Sequence, residues 1–435
     1  CSRDWSSDVC SSDLGADWVT GGANWAPYLV SQAFVAAMFW AVWRLGAEIV
    51  GPRRALLGVV TLAGVGAYDY GALQFNHNVA QYPFWALIGW SLYKAMREDS
   101  TRHWLLLGAW TALGLLAKYQ TLALLLPLAA FVVLQPQARR CLRTPGPYLA
   151  AAVAFVLLLP NLLWLLHHDA LGPARFALAR THDGHGAWGY VLYPLDFAIN
   201  MLFWCGLSLV CLAMLRGRAN EVPASRQPDS FDRAYVVALG LGPFALTVGL
   251  SAVTGLGARE DWGTPMLAFV GLLGVVFMPA IDGRSLRRFW IAAIATSATV
   301  VLLVVAVQQV IDPYRGFPGS YFYPGAKFAR EVTAGWRAAT NGATLRYVVG
   351  DSFTGGNIAY YASDRPSIYL DGDASKSPWI DEDDLRKSGA VIVWSTRQDR
   401  ESPPPANITA RFPALVLQKP IAQPSAWRSE EHTSE

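Results

Sequence analysis

The sequence predicts a polytopic α-helical membrane protein that carries a small α/β domain at its C-terminal end. Hydrophobic residues make up 53% of the 435 residues, against 15% charged residues. Apolar runs of about 20 residues, long enough to cross the hydrocarbon layer as helices, recur along residues 28–311. After residue 311 the pattern changes to alternating strands and helices, which indicates a separate domain.

About ten membrane spans are predicted in the first part of the chain. The run 104–134 is about twice as long as one span and is interrupted by the polar "AKYQT", which predicts two short helices that meet at Lys118. The other predicted spans are 28–48, 55–72, 79–96, 147–166, 189–215, 234–256, 264–280 and 289–311.

The loops between these spans differ in their basic residues. One set of alternate loops holds fifteen Lys and Arg residues, and the other set holds four, namely Lys118, Arg175, Arg180 and Arg259. Because cytoplasmic loops are enriched in Lys and Arg, the first set is predicted to be cytoplasmic. The second set, together with everything after Ile311, is then external. The positive charge is a topology signal and indicates no nucleic-acid partner.

The segment after Ile311 contains the elements of a small α/β domain. "RYVVGDSFTGGNIAYYASDRPSIYL" combines a β-branched run, a Gly-rich turn, a short helix and a second strand. "SPWIDEDDLRKSGAVIVW" adds an acidic helix start and a third strand. Such alternation is typical of an α/β domain. This domain has no cysteine, so it must be stable without disulfides.

The cysteines predict no metal or redox site. The five cysteines include no CxxC pair, and no His lies at ligand spacing from them. Cys205 and Cys211 lie in one apolar run and are interpreted as packed thiols, since free Cys behaves as a small hydrophobic residue.

Four polar groups fall on the predicted external side. Polar and ionisable residues in or beside membrane spans are costly to bury and therefore mark candidate functional sites. The groups are Asn76-His77-Asn78, Lys118-Tyr119, His167-His168-Asp169 and Arg259-Glu260-Asp261-Trp262.

Each group also has a structural interpretation, and at the level of sequence both stay open. Asn76 and Asn78 suit the N-cap of the helix that follows. Lys118 could extend towards lipid headgroups, and Arg259 could pair with a neighbouring acid in a solvated loop. The two histidines at 167 and 168 fit the membrane interface better than a catalytic role.

Lys118 and Arg259 favour the functional interpretation. They are two of the four basic residues in the predicted external loops, and the other two share one long loop. A pair of cations at the membrane surface suits a lipid phosphate or pyrophosphate, because hydrogen bonds between ionised partners are strong.

An ordered set of segments runs along the chain: "RRALLGVVTL", "NHNVAQYPFWALIGWSLYKAM", "HWLLLGAWTALGLLAKYQTLALLLPLAAFVVL", "PNLLWLLHHD" and "REDWGTPM". The third of them resembles the membrane core of the family 39 glycosyltransferases, which include protein O-mannosyltransferases and the aminoarabinose transferases of lipid A. The other four fall in that family's order and spacing. The C-terminal segment resembles the exported α/β domain of many bacterial members. The resemblance covers about residues 20–395.

The resemblance implies a GT-C type enzyme in a bacterial inner (plasma) membrane, with its C-terminal domain in the periplasm or otherwise outside the cytoplasm. Such an enzyme moves a hexosyl or pentosyl group, with inversion, from a polyprenyl-phosphate carrier to an envelope acceptor, which is a lipid, a glycan or a protein. The lipid-linked sugar is a co-substrate, and no cofactor or metal is implied.

The resemblance also implies roles for individual residues. The candidate substrate-binding residues are Lys118, Tyr119 and Arg259, which match the phosphate-side pattern, with Asn76, Asn78, Glu260 and Asp261. The family often has an Asp near Asn76 and Asn78, and the role of that Asp does not transfer to an amide. The family's carboxylate base follows its first span, and no residue here matches it. Span 28–48 matches the family's second span, so we expect the base upstream and the chain as given to be inactive.

Both ends of the chain resemble translated sequencing adapter. "DWSSDVCSSDL" at residues 4–14 fits one strand of a common library adapter, and "RSEEHTSE" at residues 428–435 fits the opposite strand. We therefore interpret residues 1–14 and 428–435 as adapter-derived and exclude them from the fold. What remains is a transmembrane core at 15–311 and the α/β domain at 312–427.

Two other functions compete with glycosyl transfer. A transporter or flippase for lipid-linked sugars typically shows internal repeats and polar residues near the middle of the membrane. This sequence shows no internal repeat, and its polar groups cluster at one predicted face. A non-enzymatic envelope protein would keep its role after loss of Lys118 and Arg259. The sequence favours the transferase.

Overall fold

The computed structural model describes residues 25–421, apart from 70, 74, 169–180, 182–185, 216–226, 279–280, 282, 308–323, 378, 395–402, 405, 414 and 420. The two ends interpreted as adapter-derived lie outside the described residues, as do Asp169, Arg175 and Arg180. The chain divides into two compact units, one formed by Gly15–Leu302 and the other containing Leu303–Glu435.

The first unit is built from helices. In chain order they are α1 (Ala26–Val50), α2 (Pro52–Val60), α3 (His77–Glu98), α4 (Thr101–Ala117), α5 (Leu122–Leu134), α6 (Pro136–Arg139), α7 (Gly146–His168), α8 (Gly189–Leu215), α9 (Ser230–Thr254), α10 (Glu260–Gly263), α11 (Val270–Val276) and α12 (Gly283–Ala306). Short 3₁₀ segments extend or join them at Thr61–Gly64, Tyr119–Thr121, Arg140–Arg143, Gly186–Trp188 and Thr264–Phe269.

The number of helices that can span a membrane corrects the prediction of about ten. Within the described ranges, five are long and apolar enough: Tyr28–Val50, Gly146–His167, Gly186–Leu215, Ser230–Thr254 and Gly283–Leu303. A sixth candidate joins Tyr119–Leu134 to Pro136–Arg143 with a bend of 88°. Apolar composition predicts removal from water but not an unbroken helix, and this difference accounts for part of the excess. The run 79–96 lies in the unbroken α3, which is not among the five candidates.

Two predicted spans show this difference directly. The run 55–72 folds as α2 and the 3₁₀ segment after it, and the run 264–280 folds as a 3₁₀ segment followed by α11. The two short helices touch closely, because a Cβ on Gly271 would clash with the carbonyl oxygen of Gly58. Close backbone contact of this kind is available only to glycine.

The predicted break at Lys118 is confirmed. Helix α4 ends at Ala117, and Lys118 is extended, with φ −164° and ψ 129°. The carbonyl oxygen of Gly114 accepts from the backbone amide of Lys118 and from the hydroxyl of Thr121, each at 2.9 Å, so both sides of the break are tied to the last turn of α4. The chain then continues through a 3₁₀ turn into α5.

Many large apolar side chains of the first unit point outward. Val253 and Leu134 are each 78% exposed, and Phe203 is 81% exposed. A soluble protein rarely exposes extended apolar surface, whereas a hydrocarbon environment covers it at no cost. The helices are therefore suited to a lipid surrounding.

The second unit contains the predicted α/β arrangement. Its elements are α13 (Gly325–Ala339), β1 (Tyr347–Gly350), α14 (Thr354–Tyr361), β2 (Ser367–Leu370), α15 (Glu382–Ser388), β3 (Val391–Ile392) and α16 (Ala406–Arg411). The strands form a parallel sheet in the order β2-β1-β3. All four residues of β1 are buried, as expected for the central strand of a parallel sheet.

Candidate functional site

Three segments of the first unit bring polar side chains together. They are the first turn of α3, the break between α4 and α5, and the loop that leads into α10. The segments lie far apart in sequence, with Asn78 separated by 40 residues from Lys118 and by 183 residues from Asp261. Only the tertiary structure makes them neighbours.

The side chains form one continuous chain of polar contacts. The ammonium of Lys118 donates to Oδ1 of Asn78 at 2.5 Å. The amide nitrogen of Asn78 lies 3.5 Å from Oδ2 of Asp261. The other oxygen of Asp261, Oδ1, accepts from Nε of Arg259 at 3.1 Å. We call these four residues the cation cluster, since an amide and a carboxylate connect its two cations.

The cation cluster is fixed from one side by Trp262 and Gln120. The ammonium of Lys118 lies 5.9 Å from the centroid of the Trp262 ring, within the range of a cation–π interaction. The side-chain amide of Gln120 donates to the backbone carbonyl of Trp262. The helix break and the α10 loop are thus held against each other next to the cations.

Buried tyrosines anchor the loop beneath the cation cluster. The hydroxyl of Tyr82 donates to Oγ1 of Thr264 at 3.0 Å, and the hydroxyl of Tyr68 donates to its carbonyl oxygen at 2.9 Å. The hydroxyl of Thr264 in turn donates to the carbonyl oxygen of Asp261 at 3.0 Å. Because these groups are buried and hydrogen-bonded, they restrict where the Asp261 backbone can lie.

The remaining predicted site residues have other surroundings. Asn76 is the N-cap of α3, and its side-chain oxygen accepts from the backbone amides of Asn78 and Val79 at 2.9 and 3.2 Å. The hydroxyl of Tyr119 donates to Asn161 of α7 at 2.5 Å. Glu260 lies in the first turn of α10 and is exposed. The structure therefore connects four of the seven predicted residues directly.

Sequence reasoning missed a carboxylate near this end of the unit. Asp69 follows the 3₁₀ segment after α2, one residue from Tyr68, and its Oδ2 is buried with no hydrogen-bond partner among the described residues. A signal was present, because Asp69 is the single acid within the apolar run 55–72, and an ionisable residue there marks a functional candidate.

The cluster offers cations and amides rather than metal ligands. Over the part of the chain that the structure describes, no group of three or more His, Cys, Asp and Glu has the geometry of a metal site. Arg259 and Asp261 are 26% and 30% exposed, so a ligand can reach them. The arrangement suits recognition of an anionic group by charge-assisted hydrogen bonds.

Comparison with known proteins gives consistent matches in sequence and fold. The family model described as dolichyl-phosphate-mannose-protein mannosyltransferase matches residues 17–164. Two curated relatives from Rhizobium johnstonii are the lipopolysaccharide core galacturonosyltransferases RgtA and RgtB, each 25% identical to this chain. RgtA matches over 78% of this chain and 67% of its own length, and RgtB over 89% and 81%.

Solved structures of ArnT from Cupriavidus metallidurans share the fold. The apo structure superposes with a TM-score of 0.56 at 11% identity, and the structure bound to undecaprenyl phosphate with a TM-score of 0.57 at 10% identity. Both cover 87% of this chain and 77% of the ArnT chain. The chain resembles GT-C type glycosyltransferases in sequence and shares their fold. The GT-C resemblance inferred from the sequence is thereby confirmed, and the chain is a multi-pass membrane protein.

The family match covers only part of the cation cluster. Residues 17–164 contain Asn78 and Lys118, whereas Arg259 and Asp261 lie beyond them. At this level of identity, the GT-C fold accounts for the helical framework but not for the roles of single side chains. Those roles have to be argued from the geometry of this chain.

Proposed function

We propose that this GT-C protein transfers a sugar from a polyprenyl-phosphate carrier to an envelope acceptor, and that the cation cluster binds the phosphate of the carrier. The observation that carries the proposal is the connection of Lys118 and Arg259 through Asn78 and Asp261. Two cations held at one end of a helical membrane unit match a lipid phosphate in charge and in position.

The loop charges and the named relatives indicate the side of the membrane and the class of acceptor. The distribution of basic residues in the loops favours an external site and an exported C-terminal unit in a bacterial inner membrane. The relatives named for lipopolysaccharide core transfer favour a lipid or glycan acceptor. We propose that the transferred sugar is a hexosyl or pentosyl group and that the transfer inverts its anomeric configuration.

The chemistry divides between two parts of the site. The departing lipid phosphate gains negative charge as the bond to the sugar breaks, and fixed cations stabilise that charge without reorganisation. The acceptor hydroxyl needs a carboxylate base. In our proposal Lys118 and Arg259 perform the first task. The expectation that the chain as given is inactive stays a prediction, and a transfer assay on residues 15–427 tests it.

Binding of undecaprenyl phosphate to the purified chain in nanodiscs tests the proposal. We expect Lys118→Ala and Arg259→Ala each to weaken binding about tenfold or more, since each removes a charge-assisted hydrogen bond worth roughly 1.5–3 kcal/mol. Arg53→Ala, which removes an exposed cation from the predicted cytoplasmic loops, is the matched control and should leave binding unchanged.

Unchanged affinity in both cluster variants would contradict the proposal. A transporter or flippase would move lipid-linked sugar across a proteoliposome bilayer without forming a glycosylated acceptor, and that result would favour the alternative. Sugar transfer that survives the loss of both cations would favour a non-enzymatic role for the cluster.

A further inference from the structure

Asp261 has a position that a phosphate ligand does not explain. A carboxylate repels a phosphate, yet this one lies between the two cations that are proposed to bind it. One oxygen of Asp261 accepts from Arg259, and the other faces the amide of Asn78, which accepts from Lys118. Asp261 therefore acts on the cations and not on the ligand.

The amide at position 78 completes this connection. A side-chain amide has both an acceptor and donors, so Asn78 can accept from Lys118 and present its nitrogen to Asp261 at the same time. A carboxylate in its place would have no donor for Asp261 and would pair with Lys118 directly. The three charges of Lys118, Arg259 and Asp261 leave one net positive charge to attract an anionic phosphate.

We infer that Asp261 is a positioning residue that couples Lys118 to Arg259 through Asn78, so that the two cations bind the lipid phosphate as one unit. This inference rests on the proposed function. Its physical consequence is cooperativity. Loss of either cation releases Asn78 and Asp261, which together we call the relay, and so displaces the other cation from its binding position. Residues in one hydrogen-bonded network show such non-additive behaviour.

Double-mutant cycles on undecaprenyl phosphate binding test the inference. In the natural background, the double variant Lys118→Ala/Arg259→Ala should bind at least about fivefold more tightly than the product of the single effects predicts. In an Asp261→Asn background the effects should multiply. The contacts to Arg259 and Asn78 use different oxygens of Asp261, and the amide nitrogen that replaces one of them cannot accept, so one contact is lost in the observed geometry. Asn78→Asp should abolish the coupling as well, because it removes the donor.

The matched control is Glu260→Gln, which removes one negative charge from the same loop and leaves the relay in place. It should keep the coupling, whatever its effect on affinity. Three results would overturn the inference: multiplicative effects in the natural background, coupling that persists in Asp261→Asn or Asn78→Asp, and coupling that disappears in Glu260→Gln. Single variants without any effect would instead contradict the proposed function. Both relay substitutions preserve side-chain shape, so a loss of coupling is separable from misfolding.

Discussion

The two ends of α3 hold the same kinds of residue in different arrangements. The helix has 22 residues and is therefore about 33 Å long. At its C-terminal end, the guanidinium of Arg97 lies 2.6 Å from Asp229 and 2.5 Å from Asp232 at the start of α9. At its N-terminal end, the amide of Asn78 accepts from Lys118 and presents its nitrogen to Asp261.

At the C-terminal end, the charged groups pair with one another and form a structural contact between α3 and α9. Asp232 is 2% exposed, and it also accepts from the hydroxyl of Tyr93 at 2.8 Å. The guanidinium of Arg97 stacks on Phe231 at 4.6 Å. Burial is the largest single influence and would raise the pKa of Asp229, but the hydrogen bonds from Arg97 and from the backbone amides of Asp232 and Phe231, with the charge of Arg97, together lower that pKa below the ordinary value. Charges paired in this way stabilise a helix contact and leave little for a ligand.

At the N-terminal end, the charged groups are arranged so that a ligand can replace one of their contacts. Its cations are connected through a 3.5 Å contact and an amide, and its Arg259 and Asp261 are about one quarter exposed. The difference teaches that a pair of opposite charges does not by itself indicate a function. What separates the structural pair from the proposed binding site is the burial of its carboxylate, because Asp232 is 2% exposed whereas Asp261 is 30% exposed.

The largest effect is expected at the structural end. Arg97→Ala should destabilise the protein by about 3 kcal/mol, because it leaves the buried carboxylate of Asp232 without its cation. Thermal unfolding in detergent should show a lower melting temperature, whereas affinity for undecaprenyl phosphate should not change in the folded protein. Arg102→Ala, a nearby exposed cation, is the control. A selective loss of ligand affinity would reverse our assignment of the two ends.

A smaller effect of opposite sign is expected at Asp69. Asp69→Asn should raise the melting temperature, corresponding to about 1 kcal/mol, since a neutral amide is less costly to bury without a partner than a carboxylate. Asp99→Asn, an exposed acid with φ 48°, should be neutral because Asn tolerates that backbone. A lower melting temperature for Asp69→Asn would reveal a partner for its carboxylate outside the described residues.

Substitutions of Asn76, the N-cap of α3, and of Asn78, in its first turn, should affect different properties, namely stability for Asn76 and ligand binding for Asn78. Asn76→Ala removes an N-cap and should cost about 1 kcal/mol of stability, which Asn76→Asp restores. Asn78→Ala removes the residue that connects Lys118 to Asp261, and it should lower the affinity for undecaprenyl phosphate. Melting temperature and affinity measured on both variants would sharpen the comparison. Equal losses of affinity would place Asn76 in the binding site too.

The smallest effect concerns the second unit and acid pH. The hydrogen bond from Tyr347, with the nearby charge of Arg346, holds the pKa of Asp384 below its ordinary value of about 4. The folded pKa is the lower one, so this stabilisation is present above pH 4 and is lost as the pH falls towards the folded pKa. The rate of pepsin digestion, measured between pH 3 and 5, should rise on acidification in both proteins. The rise should be smaller in Asp384→Asn than in the natural chain, because the variant has no carboxylate to protonate at this position.

Local patterns predicted most of the secondary structure. The polar interruption at Lys118 predicted a helix break, and the β-branched runs at 347–350 and 367–370 predicted strands. These features depend on neighbours within a few residues, which a sequence displays directly. Part of the excess in the predicted number of spans arose because apolar composition in 55–72 and 264–280 does not report whether a helix continues through the run.

The sequence by itself determined that this chain is a helical membrane protein with an α/β unit, and it identified the polar residues worth testing. Hydrophobic run length, loop charge and strand–helix alternation depend on composition and local order alone. Only the tertiary structure decided that Asn76 caps a helix, that Tyr119 faces α7, and that Asn78 joins Lys118 to Asp261. The reason is that hydrogen bonds depend on positions within a few tenths of an ångström, and packing of distant segments sets those positions.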